Sequence, residues 1–200
     1  MKLRFLYSKI KEKENLLTIY KDYQWFIDND FPIVLPKFYA EIYQKNKHNK
    51  ELFAKKLSAK LNKIYNKNDY RLKSEKVKSN WQKIEQTFFN SLDDFTFNIR
   101  NKYICHVSLY GPEGRFQYPD TVSLRVSNAK DLGRVNETIA HELIHLLIYK
   151  KAKRLGLGYE QTEGVVDLFF TETKLKAVFP RYKLQSIAVH SKKMFKKFVK

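Results

Sequence analysis

Residues 135–147 read Val135-Asn136-Glu137-Thr138-Ile139-Ala140-His141-Glu142-Leu143-Ile144-His145-Leu146-Leu147. Val135, Ile139, Leu143, Leu146 and Leu147 recur at three- and four-residue spacing, the period of an amphipathic helix. On such a helix His141 and His145 lie about 40° apart around the axis, so both imidazoles leave one face. Ring nitrogens one turn apart can reach a single zinc ion at about 2.0–2.1 Å. Glu142 is turned about 100° further round. It stands beside such a metal rather than on it, where a carboxylate can take a proton from water. The competing reading is a buried helix with two ordinary histidines.

Zinc needs a third protein ligand and an open fourth position for catalysis. Glu163 lies 18 residues after His145, and Asp167 follows one turn later on the same helical face. A carboxylate so placed can accept the second N–H of a ligating histidine and hold its tautomer. A solvated acidic face is the alternative. Val165, Val166, Leu168 and Phe169 argue against it, because they make this a largely buried helix, and buried carboxylates need partners.

Ala140 to His145, followed by Glu163 and Asp167, resembles the thermolysin-like, gluzincin type of zinc metallopeptidase. The resemblance covers residues 97–175, and residues 1–96 have no match in it. It implies a zincin-like fold, Zn2+ as cofactor, and a peptide or protein substrate. By position it implies His141, His145 and Glu163 as ligands, Glu142 as general base, and Asp167 as hydrogen-bond partner of a ligand histidine. Members of this family stabilise the oxyanion with a Tyr or His that no motif locates here. Tyr149, Tyr159 and His190 are the candidates: Tyr159 precedes the glutamate helix, His190 falls in a C-terminal helix, and Tyr149 reads as packing. The family reads substrate backbone along a sheet edge, which places that edge at the hairpin around Arg115 and Tyr118.

Working outward, residues 97–110 alternate apolar and polar as a half-buried strand does, and Val122, Leu124 and Val126 repeat the pattern. Gly111-Pro112-Glu113-Gly114 is a turn, Pro119 marks a strand edge or break, and Asp131 reads as a helix cap. Helices are expected over residues 8–28, 37–43, 53–64, 72–92, 159–172 and 181–199, with a polar loop at 44–50. The expected fold class is α+β. A mainly helical region, residues 1–96, precedes a zincin-like domain, residues 97–200, in which a small mixed sheet carries the active-site and glutamate helices.

Composition narrows the class. A chain that is 43% hydrophobic and 15% aromatic is too apolar to be disordered, and a single cysteine, Cys105, allows no internal disulfide. The apolar patch at Leu3–Leu6 is too short for a secretory signal. No 18-residue apolar window is present, so no membrane partner is expected, and the expected localisation is cytoplasmic. The net charge of +18 is spread evenly, with 21 Lys/Arg against 12 Asp/Glu in residues 1–100 and 18 against 9 in residues 101–200. Arg, the better base reader, is scarce. The charge therefore reads as solvation, with at most weak, non-specific contact to anionic partners. The expected activity is peptide-bond hydrolysis. The rivals are a basic nucleic-acid-binding helical protein with an incidental motif, and a metal-stabilised protein that cleaves nothing. Cytoplasmic repressor-cleaving peptidases share the same motif order.

Overall fold

The computed structural model of the chain describes residues 2–199. The elements in order are β1 (Leu3–Leu6), α1 (Lys9–Asp28), α2 (Tyr39–Asn46), α3 (Lys50–Ile64), α4 (Lys67–Gln82), α5 (Glu85–Asn90), β2 (Tyr103–Ser108), β3 (Gly114–Gln117), β4 (Thr121–Arg125), α6 (Ala129–Arg154), α7 (Tyr159–Glu172), α8 (Leu175–Val178) and α9 (Lys192–Phe195). The architecture is mixed α/β: mostly helices around a four-stranded mixed sheet of order β1-β2-β4-β3. β1 and β4 run parallel to β2, and β3 pairs antiparallel with β4 at the edge. No helix among the described residues is long and apolar enough to cross a membrane.

Two apolar clusters organise the packing. In the larger, Leu3, Val77, Trp81 and Phe88 join Cys105, Val122, Ile139, Leu143 and Phe169. The smaller belongs to α1–α3, where Leu16, Ile19, Tyr39, Phe53 and Leu57 are buried together. Residues 1–96 thus supply an edge strand and two helices of the larger cluster as well as the whole helical layer beside it. That layer is tied to the sheet at polar points. Glu12 of α1 accepts from Ser108 Oγ at 3.0 Å. Val34 exchanges two main-chain hydrogen bonds with Gly111, at 3.0 and 2.7 Å. Arg125 pairs with Asp131 through two nitrogens, at 3.2 and 3.1 Å, and donates to Gly111 O at 3.0 Å and Pro32 O at 3.4 Å.

Several elements differ from the sequence expectation. The patch Leu3–Leu6 is a strand, because it pairs with β2 a hundred residues away and its first amides bond the Glu85 carboxylate. The strand expected over 97–110 starts only at Tyr103. The expected helix at 72–92 begins earlier and breaks into α4 and α5. Helix α2 runs into the expected 44–50 loop. The cap of α6 is Asn128, which accepts from Asp131 N at 3.0 Å, while Asp131 turns back to Ser127 N and Arg125. The helix expected at 181–199 shrinks to Lys192–Phe195. Tertiary contacts override helical propensity there. Gln185 N donates to Asp167 Oδ2 at 3.0 Å and Val189 N to Glu160 O at 2.9 Å. Val189 lies so close to α7 that a β-carbon at Gly164 would overlap its carbonyl.

Candidate metal centre

Helix α6 runs from its Asn128 cap through the buried face that carries His141 and His145. Helix α7 packs on it and presents Glu163 and Asp167, which are 5% and 0% exposed. His141 Nε2 and His145 Nε2 lie 3.1 Å apart. Glu163 Oε2 is 3.1 Å from the first and Oε1 is 3.2 Å from the second. Donors at tetrahedral vertices about 2.0–2.1 Å from a metal stand about 3.3 Å from one another, so these distances match a shared ion. The chemistry agrees: two imidazoles and a carboxylate, all buried, can hold a metal ion. Glu163 Oε2 makes no hydrogen bond among the described residues despite its close neighbour, as expected of an atom aimed at a common centre. Burial would push the Glu163 carboxyl up, but the adjoining His141 and His145 imidazoles outweigh it and hold it down to about 2.

The two histidines are oriented differently. His141 Nδ1 lies 2.8 Å from the Tyr182 hydroxyl, which donates to Asp167 Oδ1 at 2.7 Å. Burial, then the Asp167 hydrogen bond, push the Tyr182 hydroxyl far up, so it stays protonated. With its proton on Asp167, Tyr182 accepts from His141 Nδ1–H, and the Nε2 lone pair is left facing Glu163. Tyr182 is stacked on Phe170 at 4.0 Å and 4°. His145 Nδ1 has no hydrogen-bond partner among the described residues, and its ring is held by stacking on Phe116 at 4.9 Å and 8°.

Glu142 lies between α6 and the edge strand. A β-carbon at Gly114 would overlap its carboxylate, so only glycine admits this approach. Burial first, then Glu163 and Glu113, push Glu142 up to about 7, against the opposing effect of His141. It makes no hydrogen bond among the described residues and lines a cleft with His141, Glu163, Tyr159, Tyr182 and Arg134. Arg134 is held there by Glu113 at 3.1 Å and Glu137 at 2.6 Å. The main-chain bond from Arg125 N to Glu113 O sets the alternation of the β3–β4 ladder. The amides and carbonyls of Gly114 and Phe116 therefore point to the open edge.

The structure brings His141, Glu142, Glu163 and Tyr159 to one cleft, with His145 buried beside His141 and Glu163. Tyr159 is 60% exposed at the rim, with its hydroxyl end turned inward. Desolvation of that end, then Glu163 and Glu142, push it up to about 12. His190 is elsewhere: it sits behind Asp167, 2.9 Å from Oδ2, and it is not in a helix. Asp167 is beside the cluster, but Tyr182 intervenes between it and His141. Tyr149 stacks on Tyr118 at 4.6 Å, as packing. Sequence reasoning missed Tyr182, the stacking of Phe116 on His145, the close approach of Glu142 to Gly114, and the walls contributed by Phe31 and Pro32. None of them carries a spacing signal. No protein-family model matches the chain, and comparison with curated proteins and with solved structures gave no match.

Proposed function

We propose that the protein is a zinc-dependent hydrolase of peptide bonds, built on a zincin-like core. The observation that carries this reading is the convergence of His141, His145 and Glu163 beside a carboxylate, Glu142, that lines the same cleft and makes no hydrogen bond among the described residues. A purely structural metal site needs no such group.

A zinc ion held by His141, His145 and Glu163 would supply Lewis-acid polarisation of a carbonyl and would lower the pKa of a water toward neutrality. Glu142 accepts the proton of the attacking water and delivers it to the leaving amine; a carboxyl raised toward neutrality suits both halves of that exchange. The Tyr159 hydroxyl, kept protonated, donates to the carbonyl oxygen as negative charge develops. Gly114 and Phe116 bind an extended substrate backbone as one further strand. Tyr182 and Asp167 hold His141 in the tautomer that offers Nε2 to the metal.

The test is metal content together with turnover. Wild-type protein should bind one zinc per chain and cleave peptides from a mixed library. Glu142→Gln should retain the zinc and lose about 100- to 10,000-fold in rate. Unchanged turnover in Glu142→Gln would remove it as the base, and absence of stoichiometric metal in wild type would end the reading.

A further inference from the structure

A cavity of about 320 Å³ shares no residue with the metal cleft. It lies where the end of α6 meets the segment leading into β2 and the turn after β3. Phe97, Leu147 and Phe198 give it an apolar floor. Four cations line it: Arg100 from the segment before β2, and Lys150, Lys151 and Arg154 from the last turns of α6. No carboxylate lines it, and none of the four cations makes an ion pair among the described residues. We infer that this cavity binds a small phosphate ester with an aromatic or apolar body, of the size of a nucleotide. The inference is independent of the hydrolase reading.

The polar lining is built to donate. Tyr103 is 1% exposed and lines the cavity. Its hydroxyl oxygen accepts from Arg100 N at 3.0 Å, and its own proton has no acceptor among the described residues. Burial pushes that hydroxyl up, so it remains a donor. A buried donor left without an acceptor is costly, and here it stands beside an arginine that also lacks one. Guanidinium, ammonium and phenol together present donors only, which suits a group that is all acceptor. Four positive charges exceed what one carboxylate can balance. A phosphate ester carries up to two negative charges, with three free oxygens for the forks of Arg100 and Arg154.

The arrangement also carries a cost that such a ligand removes. Lys150 and Arg154 stand one turn apart on α6 and are both exposed, and like charges at that spacing repel. The helix dipole favours cations in the last turn, where Lys151 and Arg154 lie. It offers no account of Arg100, which comes from another element. The ammonium groups sit at aromatic edges of the cavity: Lys150 Nζ is 6.0 Å from the Tyr118 ring centre and Lys151 Nζ is 5.7 Å from that of Phe198. Charge therefore surrounds an apolar floor, the division expected for a phosphate attached to an organic body. The volume lies at the lower end of the range of about 300–1,000 Å³ that small-molecule sites occupy.

Isothermal titration of the full chain tests this, with EDTA present so that no phosphate reaches zinc at the histidines, and with salt at about 150 mM to screen exposed charge. ADP should bind saturably at one site, with adenosine and inorganic pyrophosphate each at least about 10-fold weaker, since each lacks half of the recognised group. Lys150→Glu with Arg154→Glu should weaken ADP by about 10- to 100-fold. Lys55→Glu with Lys76→Glu, exposed on α3 and α4, makes the same change in net charge and should cost less than about 3-fold. Tyr103→Phe keeps the ring and every charge and should cost about 3- to 10-fold; it decides the matter should the double reversal fail to fold. No saturable ADP binding, an equal loss in the α3–α4 control, or pyrophosphate held as tightly as ADP overturns the assignment. A thymidine decamer that binds where ADP does not would give these cations to a nucleic-acid backbone and overturn it as well.

Discussion

Asp167 and His141 are coupled through one oxygen: the Tyr182 hydroxyl, 2.7 Å from Asp167 Oδ1 and 2.8 Å from His141 Nδ1. The carboxylate fixes the direction of the tyrosine proton, and the tyrosine fixes the tautomer of the ligand.

Tyr182→Phe and Asp167→Ala should therefore each weaken metal affinity by roughly 10- to 100-fold. The double variant should be little worse than either single, since both remove the same chain of bonds. Competition titration against a chelator measures the cycle. Simple additivity of the two effects would show that Asp167 acts on the site by another route.

Metal should stabilise the fold. The three ligands come from α6 and α7, so ion binding crosslinks the two buried helices. At free zinc about 1,000-fold above Kd the gain is about 4 kcal/mol, seen as a higher Tm. His145→Ala should abolish that rise while leaving the metal-free Tm within a few degrees; a rise that persists would place the ion elsewhere.

Glu12 sets a pH dependence far from the metal. It is 2% exposed, and burial pushes it up to about 7 from an ordinary 4.5 against hydrogen bonds from Ser108 and the Leu109 and Tyr110 backbone. Tyr65, Tyr70 and Tyr110 face it from α4 and the loops around it. A carboxyl whose folded pKa is raised binds its proton more tightly in the folded state. Stability from this group is present below about 4.5 and is lost as pH rises through about 7, by up to about 3 kcal/mol. Glu12→Gln should flatten the stability profile across that window in urea titrations. An unchanged slope would show that Glu12 ionises without penalty.

Arg125 holds the linker, β4 and α6 together from a buried position. Arg125→Met should destabilise the protein by about 3–5 kcal/mol, because it leaves Asp131 buried and unpaired. Replacing both with apolar residues should recover part of that loss. Denaturant midpoints decide it, and an Arg125→Met variant as stable as wild type would show the pair to be solvated.

The amino-acid sequence by itself determined the local parts. Helix α7 appears at the residues its pattern predicts, α1 starts at its Ser8 cap, and the four-residue spacing in α6 places His141 and His145 on one face because helical geometry allows nothing else. Glu163 and Asp167 follow from the same rule on α7. Only the tertiary structure decided what crosses between elements. Leu3–Leu6 becomes a strand through pairing with Tyr103 and its neighbours. Residues 181–191 remain irregular because Asp167 and the α7 backbone capture Gln185, Val189 and His190. Tyr182 and Phe31 reach the cleft from 15 residues after Asp167 and more than 100 residues before Glu142. Helical and strand periodicities are short-range consequences of backbone geometry and are readable in a single chain. Partners chosen by burial and hydrogen bonding across long loops leave no periodic trace, so they exist only once the chain has closed on itself.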